Sequence, residues 1–254
     1  MMCACAHLHL DVEHIIFSDN NLAVIRSARR CGRKALLRGN EVKNVIDHIA
    51  IGASTLDQGV NALRDLLGVE IPRGGKHPDM STHNCLTRTG DGNFLEVIAI
   101  DPDAPAPGRV RWFTLDDPVT QARLNASPGA LCWVVGTDDL DGIVANSLFD
   151  QGEILHLSRG NLRWRLTVPK DGNLLEGGLL PAFIEWSPGP QPSGGMQDLG
   201  IRLKSVQLRH PNPNALQSKL QALSIEHLAE ISEAEESSLA FVVETPDGCT
   251  VELN

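Results

Sequence analysis

From Asn44 onward, apolar runs and amphipathic stretches alternate in one pattern that occurs three times. An apolar strand opens into a turn and an amphipathic helix, and a later apolar strand carries a lone glutamate. The first copy runs from His48-Ile49-Ala50-Ile51-Gly52 to Phe94-Leu95-Glu96-Val97, and the second from Cys132-Trp133-Val134-Val135-Gly136 to Phe183-Ile184-Glu185-Trp186. The third, fainter, runs from Ser205-Val206-Gln207-Leu208 to Thr250-Val251-Glu252-Leu253. His48 to Glu96, Cys132 to Glu185 and Ser205 to Glu252 are separated by 48, 53 and 47 residues. A repeat of this kind sets the architecture before any motif is considered.

Each copy predicts a strand, a helix, then two or three strands. In the first, Val45 to Ile51 is a buried strand and Ser54 or Thr55 caps the following helix. Leu56, Val60, Leu63 and Leu67 fall at helical spacing, and Gly68 fits the helix end. Pro72-Arg73-Gly74-Gly75 is expected as a bend before a strand near His83 to Thr89. Gly90-Asp91-Gly92-Asn93 has the composition of a hairpin turn into Phe94 to Ile100. The second copy has Leu131 to Val135, a helix with Leu140, Ile143, Val144 and Leu148 on one face, and strands around 161–168 and 182–186. The third has Leu203 to Arg209, a helix bearing Leu216, Leu220 and Leu223, and strands at 239–244 and 249–253. Pro-rich connectors at 101–108 and 187–195 separate the units. A lone repeat of this size scarcely buries its sheet, so the modules are expected to pack against each other.

Composition changes this picture little. The chain has 254 residues, 42% hydrophobic and 21% charged, as in a globular protein. A net charge of −10 argues against nucleic acid, which needs a basic face. No stretch approaches the roughly 18 apolar residues of a membrane span. Met1 to Phe17 lacks a continuous apolar core, and the six cysteines are dispersed. A cytoplasmic location with reduced thiols is the expectation. Residues 1–43 carry +3 and the remainder −13, which marks 1–43 as an extension outside the core fold. Within it, Cys3, Cys5, His7 and His9 would align on one strand face as metal donors. The competing reading is a frayed terminus.

Glu96 shares a strand face with Phe94, Ile98 and Ile100. A carboxylate there is costly unless paired, protonated or bound to a cation. Glu185 and Glu252 repeat the situation, Glu252 more simply as a strand-end residue reaching solvent. His48 heads an apolar strand at the position aligned with Cys132. If two modules face each other, His48, Glu96, Cys132 and Glu185 meet in one cleft. A set of histidine and carboxylates suits a divalent transition metal with open positions; Cys132 either ligates as thiolate or packs as a small apolar residue. His77-Pro-Asp79-Met-Ser-Thr-His83-Asn84 is a second cluster. His83 and Asn84, being adjacent in a strand, cannot both enter the same cavity. Arg109, Arg111, Arg159, Arg163 and Arg165 form a basic group; Arg163 and Arg165 share a strand face and suit a ligand carboxylate or phosphate, or salt bridges to nearby acids. No Gly-x-Ser-x-Gly elbow, Gly-x-x-x-x-Gly-Lys loop or His-Glu-x-x-His helix is present.

Several motifs together are similar to the glyoxalase-like branch of the vicinal oxygen chelate superfamily. They are Asp47-His48-Ile49, Thr82-His83-Asn84, Gly90 to Pro102, Arg109 to Phe113, Thr137 to Asp141, Ser158-Arg159-Gly160 with Leu162 to Arg165, and Gly177 to Pro181. The resemblance implies an α+β fold of βαβββ modules paired into curved mixed sheets around a metal or ligand cleft. It covers residues 44–190 as paired modules, with 191–254 as a third module packed on the core. In metal enzymes of this kind, ligands come from the first and last strands of modules; His48, Glu96 and Glu185 match, whereas Cys132 and Ser205 depart. The resulting expectation is a divalent metal (Mn, Fe, Ni or Zn) at His48, Glu96 and Glu185, with Cys132 as a fourth candidate. Glu96 or Glu185 serves as the proton-transferring base, and His83, Arg111, Arg163 and Arg165 hold the substrate. The implied activity is of lyase, isomerase or dioxygenase type; the contending reading is a metal-free binding module. The expected partner is a small molecule, with a homodimer allowed and neither nucleic acid nor membrane involved.

Overall fold

The structure, a computed structural model, describes residues 43–189 and 191–254. The reading of 1–43 as an extension, including Cys3, Cys5, His7 and His9, lies outside them apart from Lys43. The first module comprises β1 (Val45–Gly52), α1 (Leu56–Leu67), β2 (Arg73–His77), β3 (Thr82–Arg88) and β4 (Phe94–Ile100). Thr55 caps α1 by accepting from the Gln58 amide, and Gly68, at φ 70°, ends it in the left-handed region. The expected bend at 72–75 is already strand from Arg73 onward. Its glycines serve close approach: a Cβ on Gly74 would lie 2.3 Å from Asn84 Oδ1, and one on Gly75 2.8 Å from Arg159 Cδ.

A short helix, α2 (Pro118–Ala126), leads into the second module. It was not anticipated, because only Leu124 of its nine residues is buried. The module comprises β5 (Gly129–Gly136), α3 (Leu140–Asn146), β6 (Glu153–Arg159), β7 (Leu162–Val168) and β8 (Ala182–Trp186). Helix α3 stops before Leu148, which is 80% exposed instead of continuing the apolar face. The third module repeats the order with β9 (Arg202–His210), α4 (Pro213–Ala222), β10 (Glu230–Glu233), β11 (Ser238–Glu244) and β12 (Thr250–Leu253).

The first two modules merge into one curved sheet of order β2-β3-β4-β1-β5-β8-β7-β6. Strands β1 and β5 pair antiparallel at its centre, whereas β1–β4 and β5–β8 are parallel. Pairing therefore occurs within one chain. Period-two alternation then assigns the faces. Ile49, Val97, Trp133, Val135 and Phe183 point to the helix side, where they form one apolar cluster with Val206, Leu208, Phe241 and Val243 of the third module. Ala50, Ile98, Cys132, Val134 and Ile184 point to the concave side, in a second cluster with Trp112 and Phe113.

The third module forms a separate sheet, β10-β9-β11-β12. Its apolar face joins the helix-side cluster of the large sheet, so this burial replaces a second cleft. Glu252 there pairs with Arg209 at 2.8 Å on the surface. The architecture is α+β, with paired βαβββ modules in a curved mixed sheet. No helix among the described residues is long and apolar enough to cross a membrane.

Candidate functional site

The concave face of the large sheet holds a cleft. Its walls are mostly aromatic, from Phe94, Trp112, Phe113, Trp164 and Trp186, and its polar groups are His48, His77, Asn84, Glu96 and Arg159. A few convergent polar groups in an apolar concavity is the usual form of a small-molecule site.

His48 is placed by an irregularity in β1. Ile46 pairs with Val135 and His48 with Val134, so Asp47 is an extra residue in the ladder. Such a bulge re-aims side chains, and here it lets Asp47 and His48 act together although they are adjacent. His48 Nδ1 lies 2.6 Å from Asp47 Oδ1, and Trp186 Nε1 donates to Asp47 Oδ2 at 2.8 Å. The imidazole stacks on Phe94, with ring centroids 4.7 Å apart. Burial opposes a charge on His48, but the Asp47 hydrogen bond and the Asp47 and Glu96 charges outweigh it and raise its pKa.

Glu96 stands opposite on β4, buried at 5% exposure. Asn84 Nδ2 donates to its Oε1 at 2.6 Å, while Oε2 stands 3.6 Å from His48 Nε2, beyond hydrogen-bond reach. Asn84 is the hub of the site, since its Oδ1 also accepts from the Gly75 amide at 2.8 Å. His77 Nε2 meets two donors at 3.3 Å, Asn84 Nδ2 and Arg159 Nη1. That nitrogen is therefore the acceptor, and Nδ1 carries the proton toward Thr82 Oγ1 at 3.1 Å. Burial, joined by the charges of Arg159 and the other histidines against that of Glu96, lowers the His77 pKa to about 4. Arg159 has no carboxylate within salt-bridge distance among the described residues.

The remaining expected site residues lie elsewhere. In β8, Ile184 and Trp186 line the cleft, so Glu185 faces the opposite side. There it accepts from the Leu140 amide at 3.0 Å and pairs with Arg165 at 2.7 Å. The grouping of Glu185 with His48 and Glu96 is corrected by strand register. Ala50 pairs with Glu96, and its counterpart Val134 pairs with Ala182. Ala182, not Glu185, therefore occupies the position of Glu96 in the second module. Cys132, the counterpart of His48, is 1% exposed in the concave apolar cluster. Burial, and then the Glu96 charge, push its thiol well above the usual range.

The arginines and His83 also depart from expectation. Arg165 additionally binds Asp141 at 2.9 Å, and Arg163 donates to the carbonyls of Gly160 and Leu162. Both share a strand face, but it is the one opposite Trp164 and Leu166, which line the cleft. Arg111 is bound to Asp116 at 2.6 Å. His83 lies across β3 from Asn84, 3.9 Å from Asp101. Asp47, His77, Asn84 and Arg159 are the site residues that sequence reasoning did not select.

A four-donor divalent site built on the strand positions of both modules does not fit these residues. The first half supplies His48 and Glu96, and the second supplies a thiol packed in the apolar cluster and the methyl of Ala182. No group of three or more His, Cys, Asp or Glu side chains among the described residues is arranged to hold a metal. Asn84 and Arg159 also present N–H donors to this space, which oppose a cation.

The family described as Glyoxalase-like domain matches the chain over residues 46–224. No curated protein matches it by sequence. A hypothetical protein from Staphylococcus aureus superposes with a TM-score of 0.53 at 15% identity, covering 83% of this chain and 85% of that one. Methylmalonyl-CoA epimerase from Mycobacterium tuberculosis gives a TM-score of 0.35 at 16% identity, covering 59% and 92%. A variant of 4-hydroxymandelate synthase from Streptomyces coelicolor gives 0.43 at 16%, covering 82% and 62%. At 15% identity the likeness to the first of these concerns the fold alone. With its matched residues spanning both modules of the large sheet, the chain belongs to the glyoxalase-like domain family.

Proposed function

We propose that the chain is an enzyme of isomerase or lyase type that moves a proton on a small, flat molecule bearing a carbonyl or carboxylate, without a divalent metal. One observation carries this reading. Glu96 is fixed through Oε1 by Asn84, while Oε2 carries no hydrogen bond among the described residues and stands beside His48. A carboxylate held by one oxygen and open at the other, in an apolar cleft, is the geometry of a general base.

The aromatic walls suit a planar apolar body, and Arg159 suits an anionic oxygen. Glu96 Oε2 takes a proton from the carbon next to the carbonyl, and the electron pair moves onto the carbonyl oxygen. The same proton returns to that carbon or to its neighbour, completing an isomerisation. In a lyase, the pair instead expels a leaving group. His48, oriented by Asp47, is placed to relay the proton.

The competing reading is a binding module, favoured by the extent of aromatic wall. The test combines proton NMR of solvent deuterium exchange into a panel of small 2-oxo and 2-hydroxy acids with elemental analysis of the purified protein. Exchange that is catalysed by the parent, absent in Glu96→Gln and accompanied by substoichiometric metal supports the proposal. Near-stoichiometric metal, lost in His48→Ala and Glu96→Ala, overturns its metal-free character. Thermal stabilisation by panel members with no exchange in any assigns the cleft to binding alone.

A further inference from the structure

Resting on the proposed role of Arg159 toward an anionic oxygen, we infer that His77 is a positioning residue for that arginine. It holds the guanidinium with a neutral acceptor and leaves the positive charge to the ligand, so that the cleft prefers a carboxylate over the corresponding amide.

Arg111, Arg165, Arg202 and Arg209 each pair with a carboxylate. Arg159 has none within salt-bridge distance among the described residues. Its Nη1 instead meets His77 Nε2 at 3.3 Å and faces Asn84 Oδ1 at 3.5 Å. Nε and Nη2 have no partner among the described residues and neither is enclosed, so both stay open to a ligand.

His77 is fixed as that acceptor. Its Nδ1 proton is directed to Thr82 Oγ1 at 3.1 Å, which turns Nε2 toward Arg159. The ring stands at 76° to that of Trp112, with centroids 5.1 Å apart. Asn84 Nδ2 reaches the same Nε2 at 3.3 Å, and two converging N–H donors require an unprotonated nitrogen. Burial holds its folded pKa at about 4, so the ring is neutral at pH 7. A carboxylate in its place would compensate the guanidinium, and an incoming anion would then gain little from it. Asn84 also faces Arg159 with Oδ1 while Nδ2 binds Glu96, so an uncharged amide links the guanidinium to that carboxylate. Gly75 completes the arrangement. A Cβ there would lie 2.8 Å from Arg159 Cδ and 3.2 Å from Nη1, so the arginine lies where a side chain on β2 would otherwise stand.

The test is calorimetric titration at neutral pH with benzoate and with benzamide, planar probes that differ in charge. The ratio of their dissociation constants measures the preference for the anion. The parent is expected to bind benzoate about tenfold tighter, and Arg159→Met to lose that preference. His77→Gln, which keeps a neutral acceptor, should rescue the preference to within about threefold of the parent. His77→Glu should bring the ratio to about one, with benzamide binding little changed. A merely structural role would weaken both probes alike. Gly75→Ala displaces only the flexible end of Arg159, adds no buried charge, and should lower the ratio as well. A parent without anion preference, or one whose preference survives Arg159→Met, would remove the role of Arg159 and the inference with it. A preference that depends on Arg159 but persists in His77→Glu or in Gly75→Ala would overturn the inference alone. Equal loss in His77→Gln and His77→Glu would do the same.

Discussion

Asn84 and Glu96 meet in the cleft at 2.6 Å between the amide nitrogen and Oε1, with both residues buried. The contact joins β3 to β4 and fixes the carboxylate on which the proposed chemistry depends. Asn84→Leu leaves that carboxylate buried without its donor, and the expected loss is about 1–3 kcal/mol of stability by chemical denaturation. Asn84→Asp sets two carboxylates together and is expected to be worse at neutral pH, with part of the loss recovered on mild acidification. Equal stability of the two variants at pH 7 would contradict this account.

His77 makes stability depend on pH in the mildly acidic range. Its folded pKa of about 4 lies below the ordinary 6.5. Between these values the unfolded chain binds a proton that the folded chain refuses, so stability falls as pH falls through 6.5 toward 4. The contribution is at most about 3 kcal/mol. His48 acts in the opposite sense, since its pKa is raised and its contribution fades as pH rises through the folded value. Thermal melts of His77→Gln between pH 4 and 6.5 are expected to show a shallower pH dependence than the parent. An unchanged slope would mean that His77 takes up its proton at the same pH in the folded and unfolded protein.

Arg159 and Arg165 separate two kinds of arginine. Arg159 reaches the cleft, whereas Arg165 clasps Asp141 and Glu185 on the far side of the sheet. Calorimetric titration with an anionic cleft ligand is expected to show a loss of about tenfold or more in Arg159→Met, and none in Arg165→Met. The latter should lose only about 1 kcal/mol of stability, because its pairs are partly solvated.

Gly74 tests how tightly the site is closed. A methyl group there would lie 2.3 Å from Asn84 Oδ1 and 2.9 Å from Leu86 Cδ1. Gly74→Ala should cost about 1–3 kcal/mol through overpacking. It should also displace Asn84 from Glu96, lowering any proton-exchange rate. Gly68→Ala, which meets no atoms but sits at φ 70°, isolates backbone strain as a control.

Much of the fold was legible because its central strands are nearly uniformly apolar and its helices carry their own caps, as at Thr55 and Gly68. What escaped is polar or weakly patterned. Strand β2 reads Arg-Gly-Gly-Lys-His, and it is strand because β3 and the curvature of the sheet hold it there, not through its own propensity. In the site, His48 and Glu96 were visible as ionisable residues in apolar strands. Glu185 looked equivalent but stands three residues beyond Ala182, and an odd displacement turns a side chain to the other face. Asp47 was hidden by a bulge that local pattern does not reveal. Between His83 and Asn84, alternation stated that one enters the cleft but not which, and the pairing of β3 with β4 decides for Asn84.

Strands β2 and β6 are the two free edges of the large sheet, and no backbone ladder joins them. Where they approach, the side chain of Arg159 bridges to His77 and Asn84. Among the described residues, the guanidinium of Arg159 spans these two edges where no ladder does. The side chain proposed to meet an anionic oxygen is thus also the one that spans the two sheet edges, so a change in its contacts breaks no ladder.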